Sequence, residues 1–168
     1  MKTLLFSLFS VLTLSQNIHA DNMEMTDTDG KHYNVIGTQS DIKIEGMEGK
    51  VVFLEFFGLD CPACKKEMPH LINLQKKYPN KLKIMAIEVQ KHDIDPINSF
   101  KKQHAINYTT FSNYDMGYVV RFIADKSSWK GAIPFIVAID SKGKVRFTKT
   151  GIISEEQLEE YVETFSKK

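Results

Sequence analysis

The stretch EFFGLDCPACKKEMPHL, residues 55–71, holds both cysteines of the chain. It begins inside VVFLEFF, residues 51–57, an almost unbroken apolar run of the kind found in strands that are buried on both faces. From Cys61 onwards, apolar side chains recur at helical spacing, with lysines between them. The two thiols therefore lie where a buried strand gives way to an amphipathic helix.

Cys61 and Cys64 are three positions apart on the first turn of the predicted helix, so their sulfurs face the same way and can form a disulfide. Such a bridge is a poor structural staple, because closing a loop of about four residues contributes about 2 kcal/mol, against nearly 5 for about a hundred residues. The free N–H groups and the dipole of the helix start favour a thiolate on Cys61, and in such motifs the thiol pKa falls from about 8.5 to roughly 3.5–7.5. We expect Cys61 to attack a disulfide and Cys64 to resolve the mixed disulfide that forms.

Two acidic side chains accompany the dithiol. Glu55 lies in a strand with apolar neighbours on both sides, where a buried carboxylate is costly unless its pKa rises. A carboxyl group with a raised pKa can take the proton from Cys64 as that thiol attacks. The alternative is that Glu55 points to a solvated sheet edge. Two interpretations stay open for Glu67, a role in the site and a first-turn acid that the helix dipole stabilises.

A lone CxxC pair is also half of a zinc site. Zinc would need two more ligands, and the chain has no second cysteine pair. Lys65 follows the second cysteine, where a haem-attachment motif requires histidine. We therefore expect no metal, and no cofactor other than a redox-active Cys61–Cys64 disulfide. The histidines after residue 20 are scattered without ligand spacing: His32, His70, His92 and His104.

Residues 1–20 have the pattern of a secretory signal peptide. One basic residue, Lys2, precedes an apolar run over residues 4–14, and Ala20 is a small residue suited to cleavage. The run is shorter than the roughly 20 residues that span a bilayer, although an uncleaved anchor stays open as an alternative. We predict export to the periplasm or another extracytoplasmic space.

The remaining residues, 21–168, are enough for a single domain, whose core we expect to start at about residue 49. The chain has 22 basic and 21 acidic side chains, and loss of the signal with Lys2 leaves the two signs balanced. A neutral chain without a basic stripe is not typical of nucleic-acid binding. We expect no nucleic-acid partner, and a membrane partner only if the signal is uncleaved.

Alternating patterns predict the fold class. Apolar runs indicate buried strands over residues 82–89 and 133–140, and a turn at SKG leads to an antiparallel partner over 144–150. Ser154 and Gln157 form a capping box before a last helix. With an N-terminal hairpin, these patterns predict an α/β fold, in which helices flank both faces of a mixed central β-sheet with an N-terminal β extension. Further helices are expected over residues 95–105 and 114–124.

Two segments together resemble the thioredoxin superfamily, FFGLDCPACKKEMP (residues 56–69) and GAIPFIVAIDSKGKV (residues 131–145). Within it, the CxxCKKE-P arrangement is most similar to the TlpA/ResA-like branch of extracytoplasmic thiol:disulfide oxidoreductases. The resemblance covers the chain from about residue 49. It implies a thioredoxin fold, with Cys61 as the nucleophile and Cys64 as the resolving thiol.

The resemblance also implies roles for other residues. Glu55 matches the buried acid of thioredoxins, and Glu67 matches the active-site glutamate of the ResA group. Pro134 matches the cis-proline that lies against the dithiol, and Ile133 matches the residue whose backbone pairs with substrate. Beside Ile133 and Pro134, we expect Trp129, Pro62 and Ala63 to be substrate-binding positions.

Two departures from the family pattern limit what is carried over. Members usually have tryptophan just before the first cysteine, where this chain has Asp60, and its single tryptophan, Trp129, precedes Pro134 by five residues. The glutamate-containing GVxGxPET pattern of cytochrome-c maturation members is replaced by WKGAIPF, residues 129–135. The substrate preference of those relatives is therefore not transferred to this chain.

The direction of electron flow is predicted from the architecture. The segment between the strands at Val89 and Ile133 leaves no room for the helical domain of a DsbA-like oxidase, so we favour reduction of protein disulfides, with electrons from a membrane thiol donor. A dithiol oxidase and a Sco-like copper chaperone stay open as alternatives, although the chaperones use a CxxxC spacing. A peroxidase would need threonine or serine at Gly58.

Overall fold

The computed structural model describes residues 20–167, so residues 1–19 of the predicted signal peptide lie outside the described part. The described chain forms two β-sheets and four α-helices. None of these helices is long and apolar enough to span a membrane. The elements are β1 Asp21–Thr26, β2 His32–Gly37, β3 Ile42–Ile44, β4 Val51–Phe57, α1 Pro62–Lys77, β5 Leu82–Glu88, α2 Ile94–Gln103, β6 Thr109–Ser112, a 3-10 turn Asn113–Asp115, α3 Gly117–Ser127, β7 Phe135–Ile139, β8 Val145–Thr150 and α4 Glu155–Phe165.

The central sheet has five strands in the order β6-β5-β4-β7-β8. β4, β5 and β6 run parallel, while β7 and β8 pair antiparallel to their neighbours, so the predicted mixed sheet is confirmed. Because parallel strands end at the same edge of a sheet, the loops that follow β4, β5 and β6 meet there. That edge carries the dithiol.

β4 is the middle strand, and all of its residues are buried, as the apolar run predicts. Its odd-numbered apolar residues, such as Phe53, pack in a core with α1 and α4. Its even-numbered residues, such as Leu54, pack in a second core on the other face. Glu55 shares the face of Phe53 and therefore points towards α1.

Helices cover both faces of the sheet, as predicted. Leu71 of α1, Leu158 of α4 and Phe100 of α2 lie in the core on the dithiol face. Val119 of α3 lies in the opposite core together with Val35 of β2.

The N-terminal strands form a separate three-stranded antiparallel sheet in the order β1-β2-β3. This sheet meets the central sheet through a bridge in which the Ile42 N–H donates to the Gly143 carbonyl at 2.8 Å and the Val145 N–H to the Ser40 carbonyl at 3.0 Å. Its buried face packs against Leu54 and other residues of the second core. The N-terminal sheet therefore closes one face of the domain.

Local signals set the ends of most helices close to the predicted positions. The Ser154 hydroxyl caps α4 by accepting from the Gln157 N–H at 3.2 Å, as the capping box predicts. The helix predicted over residues 114–124 instead starts at Gly117 after a 3-10 turn. The reason is local, because the Ser112 hydroxyl accepts from the Tyr114 N–H and stabilises the tighter turn.

Candidate active site

The two cysteines lie at the start of α1, directly after β4 and a turn over residues 58–60. They form a disulfide with their Cα atoms 5.3 Å apart. Cys61 is the N-cap of α1, Pro62 fills the first helical position, and the Cys64 N–H donates to Cys61 Sγ at 3.1 Å. Proline fits this position because its backbone has no N–H to leave unpaired.

The two cysteines differ in their exposure to solvent. Cys61 has 7% of its surface exposed and Cys64 has 1%. The helix N–H of Cys64 points at the outer sulfur, so a negative charge that forms on Cys61 is stabilised by a hydrogen bond and by the helix dipole. A partner can therefore reach the Cys61 sulfur, while the Cys64 sulfur stays buried.

Glu55 is buried on the α1 side of β4, with 2% of its surface exposed. Its Oε2 has no hydrogen-bond partner within residues 20–167. Burial first, and then the negative charge of Glu67, raise the pKa of Glu55 well above its ordinary value. The alternative of a solvated sheet edge is wrong, since β4 is the central strand.

Glu67 is fully buried on α1, one turn after Cys64. Its Oε1 accepts from the Ile153 N–H at 2.7 Å, while Oε2 has no partner within the described chain. Burial raises the pKa of Glu67 to about 7, although the Ile153 hydrogen bond and the nearby His70 act in the opposite direction. The interpretation of Glu67 as a first-turn acid is wrong, because it lies beyond the first turn and faces the core.

Tyr108 and His70 belong to the same cluster and were not predicted from the sequence. Tyr108 is buried, and burial together with the charges of Glu55 and Glu67 raises its pKa well above the ordinary value. The His70 Nδ1 lies 3.0 Å from the Ile153 carbonyl oxygen. Tyr108 adjoins a strand pattern and reads as a core residue, so no local signal distinguishes it.

The segment before β7 lies at the same edge of the sheet as the dithiol. Phe135 pairs with Phe56, which sets Pro134 and Ile133 beside the end of β4. The bond between Ile133 and Pro134 is cis, and the Pro134 carbonyl accepts from the Gly151 N–H at 2.8 Å. Ile133 packs against the core that contains both cysteines, and its backbone makes no hydrogen bond within residues 20–167.

Trp129 packs on the other side of the sheet from Glu55. Its ring lies 4.9 Å from that of Phe56 and stacks on Phe135 at 5.2 Å, and its Nε1–H donates to the Ala132 carbonyl at 2.7 Å. These contacts support the segment that leads to Pro134. Contact of Trp129 with substrate stays a prediction, as it does for the exposed Pro62 and the half-buried Ala63.

Metal ligands are not gathered in the described chain. Within residues 20–167, no three side chains of histidine, cysteine, aspartate or glutamate are placed so that they could hold a metal ion.

Several known proteins that are similar to this chain are named thiol-disulfide oxidoreductases. The model of the AhpC/TSA family matches residues 18–148. Thiol-disulfide oxidoreductase ResA of Bacillus subtilis (strain 168) is 28% identical over 151 residues, which cover 89% of this chain and 75% of that protein. The ResA of Bacillus thuringiensis subsp. konkukian (strain 97-27) is 32% identical over 146 residues, which cover 85% of this chain and 74% of that protein.

The fold has a similar counterpart among solved structures, a thiol:disulfide interchange protein of the thioredoxin family from Chlorobium tepidum TLS. The TM-score is 0.69 at 19% identity, with 88% of this chain and 95% of that chain covered. The thioredoxin fold predicted from the sequence is therefore confirmed. The chain belongs to the AhpC/TSA family and is, within it, a thiol-disulfide oxidoreductase of the ResA type.

Proposed function

We propose that the protein reduces disulfides in substrate proteins outside the cytoplasm, through a mixed disulfide on Cys61. One observation carries the proposal: an outer sulfur at a helix start stands before an inner sulfur, on the sheet face that holds two buried carboxyl groups. A structural staple would need neither the difference in access nor the acids. The reactive form is the dithiol, which two electrons and two protons produce from the disulfide described above.

In the first step, the Cys61 thiolate attacks one sulfur of a substrate disulfide. A bond forms between Cys61 and that sulfur, and the other substrate sulfur leaves as a thiolate. The hydrogen bond from the Cys64 N–H and the helix dipole favour the attacking anion. Because Cys64 is almost fully buried, we infer that Cys61 is the sulfur that substrate meets.

In the second step, Cys64 attacks the Cys61 sulfur and releases the second substrate thiolate. The protein is oxidised to its disulfide and the substrate is reduced by two electrons. Cys64 must lose a proton as it attacks, and we assign that proton to the Glu55 and Glu67 pair. Their raised pKa values keep one proton exchangeable near neutral pH, so the pair can accept a proton from one thiol and return one to the leaving thiolate.

Substrate recognition is assigned to the segment before β7. The unpaired backbone of Ile133 can add a short stretch of substrate in extended conformation beside the dithiol. Pro134, Pro62, Ala63 and Trp129 are proposed to border that stretch. Such main-chain pairing accepts many sequences, which suits an enzyme that acts on several proteins.

The direction of electron flow is inferred from what the fold lacks. Within residues 20–167, the chain between β5 and β7 holds only α2, β6, the 3-10 turn and α3, and no additional helical domain of the DsbA-like kind. We infer a reductase that works in the periplasm or a similar space, receives electrons from a membrane thiol donor and needs no cofactor beyond its own disulfide.

Insulin reduction by the purified protein with dithiothreitol tests the activity. We expect turnover that Cys61→Ser abolishes. Equilibration in glutathione buffers then tests the direction, because a reduction potential below about −200 mV supports a reductase, while one near −120 mV is that of a strong oxidant and would overturn it.

A further inference from the structure

A chain of contacts connects the buried end of β5 with the residue that precedes Cys61. Glu88, the last residue of β5, is fully buried and takes no part in the mechanism proposed above. Its carboxylate accepts from the N–H groups of Gln90 and His92, each at 2.9 Å. The His92 Nδ1 lies 3.0 Å from Glu88 Oε1, so the ring is held against the same carboxyl group.

These bonds hold a backbone conformation that the loop would not favour alone. Lys91 has a φ of +67°, in the left-handed region that residues with a Cβ atom rarely occupy. Glu88 bonds to the residues on both sides of Lys91, and the Ser112 hydroxyl of β6 donates to the His92 carbonyl at 2.9 Å. These hydrogen bonds with Glu88 and Ser112 therefore fix the positions of Gln90 and His92 in the loop.

Both side chains reach the turn before Cys61. The Asp60 N–H donates to Gln90 Oε1 at 2.9 Å, and His92 Nε2 lies 3.7 Å from Asp60 Oδ2. Gly58 makes the approach feasible, because a Cβ atom at this position would clash with the Gln90 side chain. Gln90 thus holds the backbone of Asp60, while His92 faces its carboxylate.

The charges in this array bear directly on Cys61. The Asp60 side chain is 79% exposed and adjoins Cys61 in the chain, so its negative charge opposes formation of the Cys61 thiolate. The charged groups that face the His92 ring are Asp60, from the turn before α1, and Glu88, from β5. The ring presents an N–H to both carboxylates only in its protonated form.

We propose that His92, held by Glu88, is a positioning residue for thiol–disulfide exchange, which fixes the Asp60 carboxylate and offsets its charge so that Cys61 can ionise. This inference rests on the proposed role of Cys61 as the attacking thiol. It gives a use to Asp60, Gly58 and Glu88, which the mechanism above leaves without one.

The test measures the pH at which Cys61 ionises, from thiolate absorbance, in a Cys64→Ser background so that one thiol reports. We expect Asp60→Asn to lower this pH by about 0.5, as loss of a unit charge at about 6 Å in water would, and His92→Gln to raise it. The two changes should be coupled, so that His92→Gln has less than half its effect when Asp60→Asn is already present. His32→Gln is the matched control, because this histidine bonds to Thr26 in the N-terminal sheet.

Each outcome decides the proposal. An unchanged ionisation of Cys61 in His92→Gln, in a protein that unfolds at the same temperature as the parent, would overturn it. An effect of full size in the Asp60→Asn background would overturn it too, since His92 would then act without Asp60. Because the titration needs no turnover, failure of insulin reduction would count against the proposed function while leaving this result readable.

Discussion

Glu55 on β4 and Glu67 on α1 form a buried pair of carboxyl groups, in which the charge of Glu67 adds to the effect of burial and raises the pKa of Glu55. Each keeps one oxygen without a hydrogen-bond partner inside the described chain. Ionising both groups in an apolar site is costly, so one proton is held by the pair near neutral pH. The charge state of each acid therefore depends on that of the other.

Glu55→Gln should slow resolution of the mixed disulfide much more than its formation. The amide cannot accept the Cys64 proton, and general base catalysis of this kind is worth about 100-fold or more. Stopped-flow measurement of both steps with a small disulfide, under single-turnover conditions, separates them. Glu48→Gln, which changes an exposed acid, is the control, and equal rates in all three proteins would show that the buried acid has no such role.

Stability should fall as pH rises through the range in which Glu67 titrates. Its pKa is about 7 in the fold and 4.5 as the ordinary value, so the native state keeps a proton that the unfolded chain has released. The contribution is complete below the lower value and is lost as pH rises to the upper one, by up to about 3 kcal/mol. Glu55 acts in the same direction.

Urea unfolding of the oxidised protein at several pH values between 4 and 8 measures this effect. Glu67→Gln retains an oxygen for the Ile153 N–H but cannot titrate, so the difference between its free energy of unfolding and that of the parent should grow with pH. Two parallel curves would contradict the raised pKa of Glu67.

Cys64→Ser should accumulate mixed disulfides with substrate proteins, because the second step then lacks its attacking sulfur. Cys61→Ser should accumulate far fewer, since Cys64 is nearly inaccessible. Non-reducing gels of both variants, expressed in the producing cells, would reveal the adducts and identify the partners. Equal trapping by the two variants would refute the assignment of the attacking sulfur.

Ser154→Ala should lower the free energy of unfolding by about 1 kcal/mol, the usual effect of losing an N-cap side chain. The lost contact is the hydrogen bond from the Gln157 N–H to the Ser154 hydroxyl. Ser154→Asn supplies another capping oxygen and should restore most of the loss in urea unfolding. If asparagine and alanine destabilise equally, the cap is not the cause.

Local patterns account for most of the secondary structure and for the dithiol itself. The spacing of Cys61 and Cys64 is enough to place both sulfurs on one turn. The cap at Ser154 is predicted from four consecutive residues, 154–157. The helix boundary near Tyr114 is not predicted by local patterns, because the side chain of Ser112 selects a 3-10 turn that no periodicity reveals.

The sequence by itself determined which chemistry the protein carries, since a thiol pair at a strand–helix junction depends only on residues within one short segment. Only the tertiary structure decided what surrounds that pair. Ile153 reaches Glu67 across 86 positions, and Gln90 reaches Asp60 across 30. These contacts follow from the strand order and from the burial it imposes, and a carboxyl group acquires its pKa from such neighbours rather than from its place in the chain.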